Sequence, residues 1–285
     1  MRRRGVNGGD SRRHGGARTA LTASLLTAFA SALDAAPAPA GETEGGHALH
    51  LQRTAPQVQA PGYGSLHFTP PAPGSYQLPA FGEAGDGGVL LPSGAATTLH
   101  ALMGDRLVVL SFIYTRCPDP NGCPLATHVL RRLQRRVSEH EALADRVRFL
   151  SLSFDPAHDT PQVMGEYQAQ VARPRHAGLR DSPGIAAADS PARRPAHSLP
   201  LVPWEFLTTS SPQALAPILR AYDQPVVPLR DERGNAIGSF SHILRVYLID
   251  EERHLRNIYS VPFLHPDVLV ADLLTLLAQA PKPDR

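Results

Sequence analysis

The sequence predicts an α/β domain in three layers, a mixed central sheet flanked by helices. Three observations carry that prediction. Residues 107–114 form an almost unbroken apolar run, as expected of a central strand covered on both faces. From Pro124 the apolar residues Leu125, Val129, Leu130, Leu133 and Val137 recur near helical spacing, with Arg131, Arg132, Arg135 and Arg136 largely on the outer face. Residues 147–154 then alternate as a second strand, and another helix follows. Strand, helix, strand, helix points to parallel crossovers.

Taken in order, the chain begins with a basic stretch, Arg2, Arg3, Arg4, Arg12, Arg13 and Arg18, followed by uncharged small and apolar residues from Thr19 to Leu33. That pattern reads as a signal peptide or N-terminal anchor over 1–33, with small-residue cleavage sites around Ala30-Ser31-Ala32. The apolar part is shorter than a membrane span needs, so cleavage is expected rather than anchoring. Residues 34–73 are rich in Pro, Gly and Ala and read as a flexible linker or a loosely packed arm. A domain over 74–282 follows. Gly88-Val89-Leu90-Leu91 and Thr97-Thr98-Leu99 suit a short hairpin turning at Pro92-Ser93-Gly94.

Pro124 suits the first turn of its helix, where its missing N–H costs nothing. Asp159-Thr160-Pro161 caps the second helix, which runs to about Val171. Residues 173–200 hold many breakers and few large apolar residues, and read as a surface insertion. Trp204-Glu205-Phe206-Leu207 is a short strand, and Ser211-Pro212 opens a helix. Residues 242–249 read as one strand, turned at Glu251-Glu252-Arg253 into an antiparallel partner, and His265-Pro266-Asp267 opens the last helix. This is the layout of a thioredoxin-like domain.

The chain of 285 residues carries a net charge of +2, which gives no reason to expect nucleic acid as a partner. Its only two cysteines, Cys117 and Cys123, lie between the first apolar strand and the helix from Pro124. A thiol at a helix N-terminus meets unpaired N–H groups that favour the thiolate, which is both a nucleophile and a metal ligand. Redox exchange, a soft metal and a plain disulfide all remain open on these residues alone. A closed zinc site normally takes four ligands, and two cysteines do not suggest one. A peroxidase would need Thr and Arg around the attacking cysteine, and Thr115 and Arg116 alone do not make that site.

Four stretches, in order, resemble the Sco/SenC family of exported, thioredoxin-fold copper proteins. They are Tyr114-Thr115-Arg116-Cys117-Pro118-Asp119 with Cys123-Pro124, the run Ser153-Phe154-Asp155-Pro156-Ala157-His158-Asp159-Thr160-Pro161, Trp204-Glu205-Phe206-Leu207-Thr208, and Ser241-His242-Ile243-Leu244-Arg245-Val246-Tyr247-Leu248-Ile249-Asp250. The resemblance implies copper, as Cu(I) or Cu(II), held by Cys117, Cys123 and the distant His242, with Asp155 as an outer neighbour of the site. It implies a periplasmic or other extracytoplasmic protein that delivers copper or electrons to the copper subunit of a respiratory oxidase or another exported metalloprotein. The rival reading is a thiol-disulfide oxidoreductase in which Cys117 attacks and Cys123 resolves, with thiol-disulfide partners. One departure stands out. Such proteins usually place three residues between their cysteines, and here five intervene, Pro118 to Gly122. Two outcomes are open for the longer loop: Gly122 lets it bring both sulfurs to one metal, or it favours a disulfide and weakens copper binding.

Overall fold

A computed structural model describes residues 58–173 and 200–280. The expected export segment, the expected linker up to residue 57 and nearly all of the expected insertion lie outside the described residues.

The described chain opens with one 3-10 turn, Pro61–Tyr63. Strand β1 is Gly82–Glu83, β2 Gly88–Leu90, β3 Ala96–Thr98 and β4 Leu107–Ile113. Later come β5 Val147–Ser153, β6 Trp204–Leu207, β7 Val226–Arg230, β8 Ala236–His242, β9 Val246–Ile249 and β10 His254–Tyr259. The helices are α1 Leu99–Met103, α2 Cys123–Glu139, α3 Pro161–Ala172, α4 Pro212–Ala221 and α5 Pro266–Gln279. Six strands form one mixed sheet in the order β1-β10-β9-β4-β5-β6, while β2–β3 and β7–β8 are separate hairpins.

Strand β4 lies inside the sheet because all seven of its residues are buried. It runs parallel to β5, Leu107 opposite Val147 through Ile113 opposite Ser153, and antiparallel to β9. Parallel neighbours need a crossover, which α2 supplies between β4 and β5. Its buried face is the expected one, Leu125, Val129, Leu130, Leu133 and Val137. Helix α2 lies beside α3 through Thr127 and Tyr167, hydroxyl to hydroxyl at 2.9 Å, and beside α5 through an Arg136–Asp267 ion pair. Tyr222, just past α4, meets Phe112 of β4 and Tyr247 of β9, ring centroids 5.4 and 5.2 Å away. The mixed sheet with flanking helices expected from the sequence is the fold observed.

Two expectations are corrected. Of the two readings of the segment before residue 74, the described part follows the packed arm and not the free linker, because the turn over Pro61–Tyr63 is seated on the domain. Gly62 is buried, and a Cβ there would lie 2.4 Å from the Leu264 carbonyl oxygen and 2.6 Å from Val129. Nor are residues 242–249 one strand. His242 ends β8 and Val246 begins β9, because residues 226–242 pair with themselves as a hairpin. Gln224 fixes the break by donating to the Ile243 carbonyl at 2.8 Å.

The C-terminal helix carries a carboxylate that its apolar pattern hides. Asp272 is buried and accepts from the hydroxyls of Tyr76 and Tyr259, each at 2.5 Å, and from the Asn257 amide at 2.8 Å. Asp272→Ala leaves these three donors without their acceptor. Urea denaturation should show stability lower by about 2–3 kcal/mol. An unchanged midpoint would mean the cluster contributes nothing.

Candidate metal centre

The site is built where β4 leaves the sheet. Tyr114 directly follows the strand, and Cys123 is itself the first residue of α2, one position before the expected start. Cys123 is 1% exposed. Its Sγ accepts from the Tyr114 N–H at 3.4 Å and lies 3.6 Å from His242 Nε2. Cys117 is half-buried, and both cysteines are free thiols. The donor atoms of Cys117, Cys123 and His242 all lie within 4.8 Å of one another. The three expected ligands are thus brought together across more than a hundred residues of sequence. Gly122 serves the loop through space rather than through an unusual φ. Its φ is −94°, and a Cβ there would lie 3.1 Å from Cys117 Sγ and 3.2 Å from the Asp119 carbonyl oxygen.

The two thiols differ sharply. The Cys123 thiol donates toward Cys117 and, helped by His242, holds the Cys117 pKa down at about 4 against the effect of burial. The same contact, together with burial, pushes Cys123 strongly up. His242 is raised, first by its hydrogen bond to Cys117. The cluster therefore offers one ready thiolate, one protonated thiol and an imidazole.

Two carboxylates in the turn after β5 hold the residues just before Cys117. Asp155, the expected outer neighbour, is buried and accepts from Arg116 Nη2 at 2.9 Å, so it reaches the site through Arg116 rather than directly. Arg116 in turn lies over Gly238 of β8, where a Cβ would come within 3.2 Å of its guanidinium nitrogens. Asp159 is fully buried. It accepts from the Thr115 N–H at 3.0 Å, the Thr115 hydroxyl at 2.5 Å and the Ser153 hydroxyl at 2.6 Å, and it meets His158 Nδ1 at 2.9 Å. The cap of α3 is Thr160, which frees Asp159 for this work. Thr115 and Arg116 are thus committed to carboxylates and do not surround a peroxide-reducing cysteine.

His242 stands in an aromatic box. Its ring centroid is 5.1 Å from Phe154 and 5.6 Å from Tyr114, and Phe240 packs against both of those rings at 5.5 and 5.1 Å. The β7–β8 hairpin, which was not among the elements expected from the sequence, supplies Phe240 and His242. Pro225 just before β7 and Pro228 within it mask the strand pattern, although Asp231 and Gly234, with φ +83°, mark the turn. His128 does not join the site and packs on the Tyr63 ring at 4.9 Å. Asp250, Glu252 and His254 form a second group of ligand types, but Arg256 Nη1 already sits 2.8 Å from Asp250 as its cation. In the reduced protein, alkylation of Cys117 by iodoacetamide should titrate near pH 4. The rate should then be nearly flat from roughly pH 6 to 8, where an ordinary thiol rises about tenfold per unit. An ordinary rise would refute the shared-proton picture.

Residues 92–183 match the SCO1/SenC family. That stretch contains both cysteines and both carboxylates but not His242. The fold is similar to copper-bound ScoI from Arabidopsis thaliana at TM-score 0.51 and 19% identity, covering 70% of this chain and 99% of that one. It is also similar to yeast Sco1 at TM-score 0.50 and 16% identity, with 70% and 99% covered. No curated protein matches the chain by sequence. The family match covers about a third of the chain, and the thioredoxin-like fold of the described residues is similar to that of the Sco structures.

Proposed function

We propose that the chain is an exported copper-binding metallochaperone. Cys117, Cys123 and His242 take up one copper ion as cargo and pass it, or electrons, to the copper subunit of a respiratory oxidase or to another exported metalloprotein. The observation that carries this reading is the convergence of two sulfurs and one imidazole nitrogen within 4.8 Å. Thiolate and imidazole select Cu(I), Cu(II) or zinc over hard cations, and three protein ligands leave a position open for transfer. Cys123 is fixed at the base, while the half-buried Cys117 and His242 form the accessible side. Loading the ion releases the proton that Cys123 holds. A similar fold carries copper in the Arabidopsis ScoI structure.

Export is proposed from residues 1–33, whose basic start and short apolar run suit a signal, or less simply an anchor. Among the described residues no helix is long and apolar enough to cross a membrane. Thiol-disulfide exchange is the second reading, and the low pKa of Cys117 favours it specifically. Cys117 would attack and Cys123 resolve.

His242→Ala separates the two. It removes the only nitrogen ligand and leaves both thiols. If copper is the cargo, affinity should fall at least about tenfold, or 1.4 kcal/mol, with a weaker or shifted Cu(II)-thiolate absorption. Reaction with a small disulfide should persist. Equal copper affinity in wild type and variant would overturn the three-ligand site and leave thiol exchange as the function.

A further inference from the structure

The five residues between the cysteines are held from outside the loop. Residues 58–64 run across them. Asn121 Oδ1 accepts from the Ala60 N–H at 2.9 Å, and its Nδ2 donates to the Val58 carbonyl at 2.8 Å. The Tyr63 hydroxyl donates to the Pro120 carbonyl. Asn121 therefore pairs with this segment through one donor and one acceptor, as a neighbouring strand would. The segment is itself anchored. Gly62 is buried against Leu264 and Val129, and Arg132 Nη1 and His265 Nε2 reach the Gly62 and Gly64 carbonyls at 3.5 and 3.3 Å.

Closing a Cys117–Cys123 disulfide requires the sulfurs to approach to about 2.05 Å. Cys123 is poorly placed to move. It is buried in the first turn of α2, with its sulfur held between the Tyr114 N–H and His242. The movement falls on Cys117 and residues 118–122. That loop is tightly packed, since a Cβ at Gly122 would lie only 3.1 Å from Cys117 Sγ and 3.2 Å from the Asp119 carbonyl oxygen. Any rearrangement pulls on Pro120 and Asn121, the two residues that residues 58–64 grip.

We propose that Asn121 and Tyr63 are positioning residues of the site: through them residues 58–64 clamp the intercysteine loop in its dithiol, metal-receiving shape, and disulfide closure loosens the clamp. This rests on the reading of Cys117 and Cys123 as working thiols. The coupling is reciprocal, so whatever pulls residues 58–64 away also favours the disulfide. With oxidised glutathione as oxidant, the Cys117 thiolate attacks one glutathione sulfur and expels the other as thiolate. Cys123 then gives its proton to solvent and displaces the second glutathione. Two cysteine thiols are oxidised to one disulfide, and one glutathione disulfide is reduced to two thiols.

The test is the equilibrium of the full-length, metal-free protein with glutathione buffers. Asn121→Ala should favour the disulfide by about tenfold, a potential about 30 mV more negative for this two-electron couple. Tyr63→Phe should move it the same way by less, and Asn121→Asp, which keeps the acceptor for Ala60, should recover part of the loss. Glu251→Ala, which breaks an ion pair with Arg146, should leave it unmoved. A potential for Asn121→Ala within about twofold of wild type in equilibrium constant would overturn the proposal. The wild-type protein gives a second readout. Hydrogen exchange at the Ala60 amide should be at least about tenfold faster in the disulfide than in the dithiol form, and equal exchange would overturn the clamp. Neither readout involves copper, so a failure of copper binding would sink the proposed function without moving them.

Discussion

The site depends on two buried carboxylates, Asp155 and Asp159, reaching from the turn after β5 to the residues that precede Cys117. A buried carboxylate without partners costs several kcal/mol, and one with several donors fixes whatever supplies them. Asp159 draws both the amide and the hydroxyl of Thr115, and Asp155 draws the guanidinium of Arg116. Because β4 and β5 are parallel and in register to their ends, the two turns emerge side by side. The sheet thus sets where the cysteine loop starts.

The other end of the loop is set by a helix. Cys123 occupies the first position of α2, packed beneath Tyr114, while Cys117 stays half-exposed in the loop. The hydrogen bond from the Cys123 thiol toward Cys117, with the deeper burial of Cys123, makes the thiols chemically unequal, one a ready thiolate and one a protonated reserve. His242 completes the group because the β7–β8 hairpin folds over Tyr114 and Phe154, and because Arg116 lies against Gly238 on that hairpin. One arginine therefore links the turn after β5, the cysteine loop and the histidine hairpin.

Much of this was legible in the sequence, for identifiable reasons. The buried strand 107–113, the amphipathic α2 and the Pro-initiated helices carry strong local signals, and the cysteines flank a strand-to-helix turn whatever surrounds them. The ligand set came from resemblance rather than from spacing. What escaped was tertiary. The β7–β8 hairpin is broken by prolines and exposes Val227 and Ile237, so it lacks the half-buried alternation of a strand. Asp159 looked like a cap beside Thr160, and only the fold brings Thr115 to it. Residues 58–64 carry linker composition, yet a glycine that fits where no side chain could, and an asparagine 61 residues away, seat them.

The central claim is that Cys117, Cys123 and His242 act as one metal centre, and copper X-ray absorption on the anaerobically loaded, full-length protein tests it most directly. The account predicts one copper per chain with two sulfur scatterers and one imidazole. A copper shell of oxygen and nitrogen donors alone, or one without imidazole, would contradict it.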